Sequence, residues 1–213
     1  MVQLHLIYSA EVVVINVYDF DNTLYCGEST FDFFLFCVKK HPKLLKFAFV
    51  SVSYLIKYKM CLVSEQGLMD LCNKYVGHFL EICPDIDGLV DEFWNKHRKK
   101  LKPFYKDLHK PDDVVISASF GFMLRPIIEE MGIKTLLCSE VNLKTGEIER
   151  LCYRKNKNDI FAEAFKDKEI ECFYTDSLND LSMMLMAKKA YLVKGEKIEE
   201  YIPSQKELES AKV

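Results

Sequence analysis

No Cys-x-x-Cys pair occurs among the eight cysteines of this 213-residue chain, which argues against a structural zinc site. Cys26, Cys37, Cys61, Cys72, Cys83, Cys138, Cys152 and Cys172 are scattered through apolar runs, as reduced buried thiols are. No secretory leader to favour a disulfide framework is expected: Met1 to Ala10 is fairly apolar but lacks a basic leading region, and Glu11 and Asn16 interrupt any longer apolar segment. The longest apolar stretch elsewhere, Leu44 to Ile56, is thirteen residues long and contains Lys46, too short to span a bilayer. A cytoplasmic protein without stable membrane association is therefore expected. The formal net charge of −3 lacks the basic excess of a dedicated nucleic-acid binder. There is no internal repeat and no low-complexity tract.

What is present suits one ordinary domain, or a core domain with a small insertion. Apolar residues make up 49% and charged residues 29% of the chain, ordinary values for a globular protein. Residues 1–11 read as a leading extension of a first strand, Val12 to Tyr18. From Thr30 to Tyr105 the patterns are helical: Phe31, Phe34, Leu35 and Val38 share one face. Pro42 suits the start of a second helix through about Tyr58, and Ser64 caps a third. Leu89, Phe93 and Trp94 begin a further helix after the loop Pro84–Gly88. From Pro111 onward strands and helices alternate, as in a mainly parallel sheet. Val114–Ile116, Thr135–Cys138, Cys172–Tyr174 and Tyr191–Val193 are the strands. Phe122–Met131, Asn158–Phe165 and Leu178–Ala187 are the helices, with a hairpin turn at Gly146 and a loose tail from Ser204. Of the 29 basic and 32 acidic residues, 12 and 8 fall within 29–105. A mildly basic helical insertion thus interrupts an acidic α/β core.

The densest chemistry lies in Asp19-Phe20-Asp21-Asn22-Thr23, directly after the first strand. Two carboxylates at alternate positions in a polar turn repel one another unless a cation or proton intervenes. Further polar groups follow at other strand ends: Ser117, then Lys157 near a helix start, then Asp176 with Asp180. Ligands of open α/β sheets bind outside the carboxyl ends of the strands. Carboxylates from two strands could jointly hold magnesium, which takes oxygen ligands and keeps waters and substrate phosphate in its shell. With a cation and a hydroxyl added, this is an inventory for phosphoryl transfer.

These residues, in this order and at spacings of 98, 40 and 19 residues, resemble the four motifs of the haloacid dehalogenase superfamily. The resemblance covers nearly the whole chain. The insertion after the first motif, together with Ser117-Ala118-Ser119, looks most like the phosphoserine phosphatase branch. The resemblance implies a three-layer Rossmann-like core of residues 1–28 and 106–213, with a helical cap of residues 29–105. It implies Asp19 as the nucleophile that becomes an aspartyl-phosphate, and Asp21 as general acid and then base. Ser117 and Lys157 would neutralise the transferring phosphoryl group, and Asp19, Asp21, Asp176 and Asp180 would surround Mg2+. Phe20, Thr23, Glu28 and Ala118 would contribute to substrate binding, Thr23 by supporting the turn and Phe20 through main-chain amides. The implied reaction is magnesium-dependent hydrolysis of a small phosphorylated metabolite, with a phosphoserine-like or amino-alcohol phosphate favoured. Phosphotransfer to an acceptor other than water, or a non-catalytic phosphate-binding module, are the alternatives.

The sequence departs from the family pattern at Thr175, where glycine usually precedes the aspartate; the threonine either shifts Asp176 or is tolerated. Arg154 and Lys155 lie beside Lys157, which fits best because it immediately precedes a helical pattern. Glu28 stands where relatives meet a substrate amine, and equally reads as a loop carboxylate. Ser119 reads as a turn residue, His97 to Lys100 as a solvated basic face, and Asp180 as either a metal-shell or a lysine-orienting carboxylate.

Overall fold

The computed structural model describes residues 13–47, 65–166 and 168–210. Val13–Tyr18 (β1), Val114–Phe120 (β2), Thr135–Val141 (β3), Ile148–Arg150 (β4), Lys168–Thr175 (β5), Ala187–Lys194 (β6) and Lys197–Tyr201 (β7) form one sheet in the order β4-β3-β2-β1-β5-β6-β7. The five central strands run parallel, while β4 and β7 close the two edges antiparallel. The central strands are apolar on both faces, as a sheet covered on both sides requires. On β1, Ile15 and Val17 join one buried cluster with Val114, Ile116, Phe161, Ile170 and Phe173. Tyr18 joins the other, which continues through Phe20, Phe33, Phe93 and Trp94 into the helices between β1 and β2.

Those helices are Ser29–Lys40 (α1), Glu65–Ile82 (α2), Ile86–His97 (α3) and the short Phe104–Leu108 (α4). The Asp85 side chain accepts from Gly88 N–H and caps α3, so this helix starts three residues before Leu89. Pro42–Leu44 makes a single 3₁₀ turn. Residues 45–47 continue as helix; the rest of the helix expected through about Tyr58, and the cap at Ser64, lie outside the described residues. The chain enters and leaves this segment through two adjacent linkers: Cys26 N–H donates to Lys100 C=O (2.8 Å) and Lys102 N–H to Leu24 C=O (2.8 Å). A second contact joins the segment to the sheet. The β3–β4 turn brings Gly146, at φ +78°, against Gly77 of α2, and Ile148 N–H donates to Asn73 Oδ1 (2.8 Å).

Gly121–Glu130 (α5), Lys155–Ala164 (α6), Leu181–Met186 (α7) and Gln205–Ser210 (α8) complete the chain. Gly132, at φ +79°, ends α5 as expected. Three expectations need correction. The helix assigned to Leu178–Ala187 is a 3₁₀ turn at Leu178–Asp180 followed by α7, and Ala187 already belongs to β6. The polar Lys197–Tyr201 is an edge strand. The tail expected to be loose from Ser204 is helical over Gln205–Ser210: Ser204 and Glu207 exchange side-chain to backbone bonds at its start, a capping box. Among the described residues no helix is long and apolar enough to cross a membrane.

Candidate active site

The carboxyl ends of β1, β2 and β5 and the start of α6 converge on one place. β1 stays in register with β5 for one residue beyond its end, because Asp19 N–H donates to Tyr174 C=O (2.8 Å). The chain then folds back. Phe20 C=O accepts from Leu24 N–H (2.9 Å) and Tyr25 N–H (3.0 Å), and Asn22 takes a left-handed φ of 57°, a conformation that asparagine tolerates better than most residues. This turn separates the two carboxylates. Asp19 faces α6, whereas Asp21 faces β2 and the start of α1.

Lys157 is the centre of the Asp19 side. It lies in the first turn of α6, follows Arg154 at φ 48°, and is 2% exposed. Its Nζ donates to Asp19 Oδ1 (2.9 Å) and Asp180 Oδ2 (2.8 Å). Of the basic residues at 154, 155 and 157, it is therefore Lys157 that reaches the first aspartate. Burial pushes the Asp19 carboxyl up; Lys157 opposes this, while Asp180 and Asp21 add to it. Burial by itself would lower Lys157, but Asp19 and Asp180 more than offset it and hold the ammonium above its ordinary value. One cation shared by two carboxylates leaves this cluster with an excess of negative charge.

Both oxygens of Asp21 are occupied. Oδ1 accepts from Ser29 N–H (2.6 Å) and Oδ2 from the Ser119 hydroxyl (2.6 Å). The Ser119 oxygen accepts in turn from Thr30 Oγ1 (2.8 Å), and Ser29 Oγ lies 3.0 Å away. Burial raises the Asp21 carboxyl, and the bonds from Ser119 and Ser29 pull it back. Ser119, read from the sequence as a turn residue, is thus buried and bonded to the second aspartate. The cause is a bulge: Ser117 pairs with Cys138 and Phe120 with the next residue, Ser139. Ala118 and Ser119 are left out of the ladder and Ser119 is re-aimed. No residue pattern announces that bulge. Ser117 is fully buried and its Oγ accepts from Ser119 N–H (3.1 Å), which leaves its own proton to donate. Ala118 C=O is tied to Ser139 Oγ (2.7 Å).

The remaining expected residues divide. The Phe20 ring is fully buried, stacked on Tyr25 at 5.9 Å and met edge-on by Trp94 at 6.1 Å, so only its main chain is available to a ligand. Thr23 is fully buried, and its hydroxyl has no hydrogen-bond partner among the described residues. Its backbone, through a 3.3 Å bond to Phe20 C=O, is what supports the turn. Glu28 is exposed at the rim and accepts from Asn22 Nδ2 (3.2 Å). Asp176 is half-buried; burial raises its carboxyl, and Glu28 and Asp180 add to this. Asp180 Oδ2 is taken by Lys157 and by Thr175 Oγ1 (3.1 Å), which makes it a partner of the lysine. Lys102, absent from the sequence-based set, sends its Nζ to Asn22 C=O. Burial lowers its ammonium, against the nearby charge of Asp176.

No three acidic, histidine or cysteine side chains among the described residues are grouped as a ready metal cage. The donors present are nonetheless of the kind a hard cation takes. Two carboxylates, Asp19 and Asp176, and the Asp21 main-chain carbonyl are all oxygen ligands, and magnesium completes such a sparse set with water and phosphate.

The family model for haloacid dehalogenase-like hydrolases matches residues 17–185. The chain belongs to that family. No curated protein matches this hydrolase, but several solved structures share its fold. A protein of unknown function from Bordetella pertussis Tohama I aligns at TM-score 0.68 and 17% identity, over 84% of this chain and 89% of its own. A phosphoserine phosphohydrolase-like protein from Francisella tularensis subsp. tularensis SCHU S4 aligns at TM-score 0.53 and 19% identity, over 84% and 86%. A substrate-bound phosphoserine phosphatase aligns at TM-score 0.50 and 18% identity, over 84% of each chain.

Proposed function

We propose that this hydrolase is a magnesium-dependent phosphatase that cleaves a small phosphomonoester through an aspartyl-phosphate. The observation that carries the reading is the Lys157 ammonium bridging Asp19 and Asp180, beside an Asp21 gripped by two donors. An oxygen of Asp19 attacks phosphorus as the ester oxygen departs, and Asp21 gives that oxygen its proton. Water then attacks the phosphoryl group, Asp21 takes its proton, and phosphate leaves with Asp19 restored. Lys157 and the Ser117 hydroxyl stabilise the charge on the transferring group. Asp19, Asp176 and the Asp21 carbonyl would hold magnesium, which when bound neutralises phosphate charge and aligns it with Asp19.

Residues 29–105 act as a cap that excludes water and selects the substrate. An amine-bearing phosphomonoester such as phosphoserine is favoured, because exposed Glu28 puts negative charge at the rim. Cys26, Cys37, Cys83, Cys138, Cys152 and Cys172 are free thiols, which supports a cytoplasmic setting. Phosphate release from a panel of phosphorylated metabolites, with magnesium and with chelator, is the test. Turnover should require the metal, and Asp19→Asn should abolish it while leaving circular dichroism unchanged. Full activity in that variant would sink the mechanism.

A further inference from the structure

We propose that Thr175 is a positioning residue whose hydroxyl fixes Asp180, and through it the Lys157 ammonium, against Asp19. The role rests on the phosphatase reading for its catalytic consequence, but not for its geometry. Thr175 is the last residue of β5 and is fully buried. Its Oγ1 accepts from Ser177 N–H (3.2 Å) and donates to Asp180 Oδ2 (3.1 Å). The first bond folds the chain around Asp176, the residue between them. The second holds the carboxylate oxygen that also receives Lys157 (2.8 Å). A connected series therefore runs from Thr175 through Asp180 and Lys157 to Asp19.

The series matters because Lys157 has two competing anions. An ammonium shared between carboxylates moves toward whichever is less satisfied by other donors. By donating to Asp180, Thr175 lowers that carboxylate's demand on the lysine, so Lys157 keeps its bond to Asp19. A side chain without a hydroxyl at 175 would leave Asp180 with the lysine as its one buried donor in this cluster. It would also leave Ser177 N–H without its acceptor. Both changes draw charge and backbone away from Asp19 and Asp176. Threonine here is thus a working part of the site, beyond being sterically tolerated.

The test compares Thr175→Val, nearly the same shape without the hydroxyl, with Thr175→Ser, which keeps it. Thr175→Ala is the substitute if the valine variant does not fold. Loss of one buried hydrogen bond predicts a kcat lower by about tenfold in the valine variant, with KM within about twofold, and recovery in the serine variant. The second readout needs no turnover: the ¹⁵Nζ resonance of Lys157, assigned by its absence in Lys157→Arg. That resonance should shift or lose exchange protection in the valine variant and return in the serine variant. An unshifted lysine resonance with unchanged kcat in Thr175→Val overturns the role, as does a serine variant as impaired as the valine one. Should the wild-type protein hydrolyse no phosphomonoester, the functional reading fails alone, and the lysine resonance decides the role of Thr175.

Discussion

Replacing Lys157 by methionine isolates the electrostatic function of the buried cluster, because methionine keeps most of the apolar stem and removes the charge. The lysine side chain is 3% exposed, and those of Asp19 and Asp180 are 11% and 7% exposed. Removing one partner of a buried ion pair costs about 3–5 kcal/mol, chiefly because the other charge is left uncompensated. Here two carboxylates are stranded, while Asp180 retains the Thr175 hydroxyl, so a loss of about 4 kcal/mol is expected. Against a total stability of roughly 5–15 kcal/mol, that is a large share. With a urea dependence of roughly 2.5 kcal/mol per molar, the unfolding midpoint should fall by about 1.5 M. Adding Asp180→Asn removes one stranded charge, so the double variant should be more stable than Lys157→Met alone. A single variant whose midpoint stays within about 0.3 M of the wild type would falsify this account of the cluster, and so would a double variant less stable than the single one.

Asp113 is 1% exposed, and burial raises its carboxyl despite the Lys110 N–H and His109 beside it. A carboxyl raised in the folded state stabilises below its unfolded value and loses that contribution as pH rises through the folded one. Thermal melts should therefore place Asp113→Asn above the wild type at pH 8 and level with it or below at pH 4.5; a constant offset would contradict the sign. A methyl group on Gly146 would lie 2.8 Å from Gly77 Cα and 2.9 Å from Gly77 N. Gly146→Ala should cost about 2 kcal/mol, or roughly 5 °C in midpoint by calorimetry, and an unchanged midpoint would show that the hairpin is not pressed against α2.

Much of the site was readable because its groups lie where strands end. Asp19 follows a Val/Ile-rich run, Asp176 follows Cys172-Phe173-Tyr174, and such boundaries are marked by hydrophobicity alone. Ser119 was not readable, since its direction depends on a two-residue slip between β2 and β3 that no side-chain pattern encodes. Lys197–Tyr201 was missed for a different reason: an edge strand presents charge to solvent, and Lys-Ile-Glu-Glu-Tyr is what protects an edge from pairing further. Ser204 and Glu207 carried a capping signal that the polarity of the tail obscured. Asp180 could be narrowed to two roles from sequence. Distinguishing them needed the distance to Lys157, set by how α6 and the turn after β5 pack.

The protein contains one tryptophan, and its position has a practical use. Trp94 donates its indole N–H to Met123 C=O (2.7 Å) and meets the rings of Phe20 and Tyr25 edge-on, and Phe20 lies between the two aspartates of the first motif. Its emission therefore comes from a single place where α3, α5 and the Asp19–Asp21 turn touch. Displacement of any of the three changes the polarity around one fluorophore, so binding at the aspartates can be followed in the native protein, without a label, a coloured substrate or turnover.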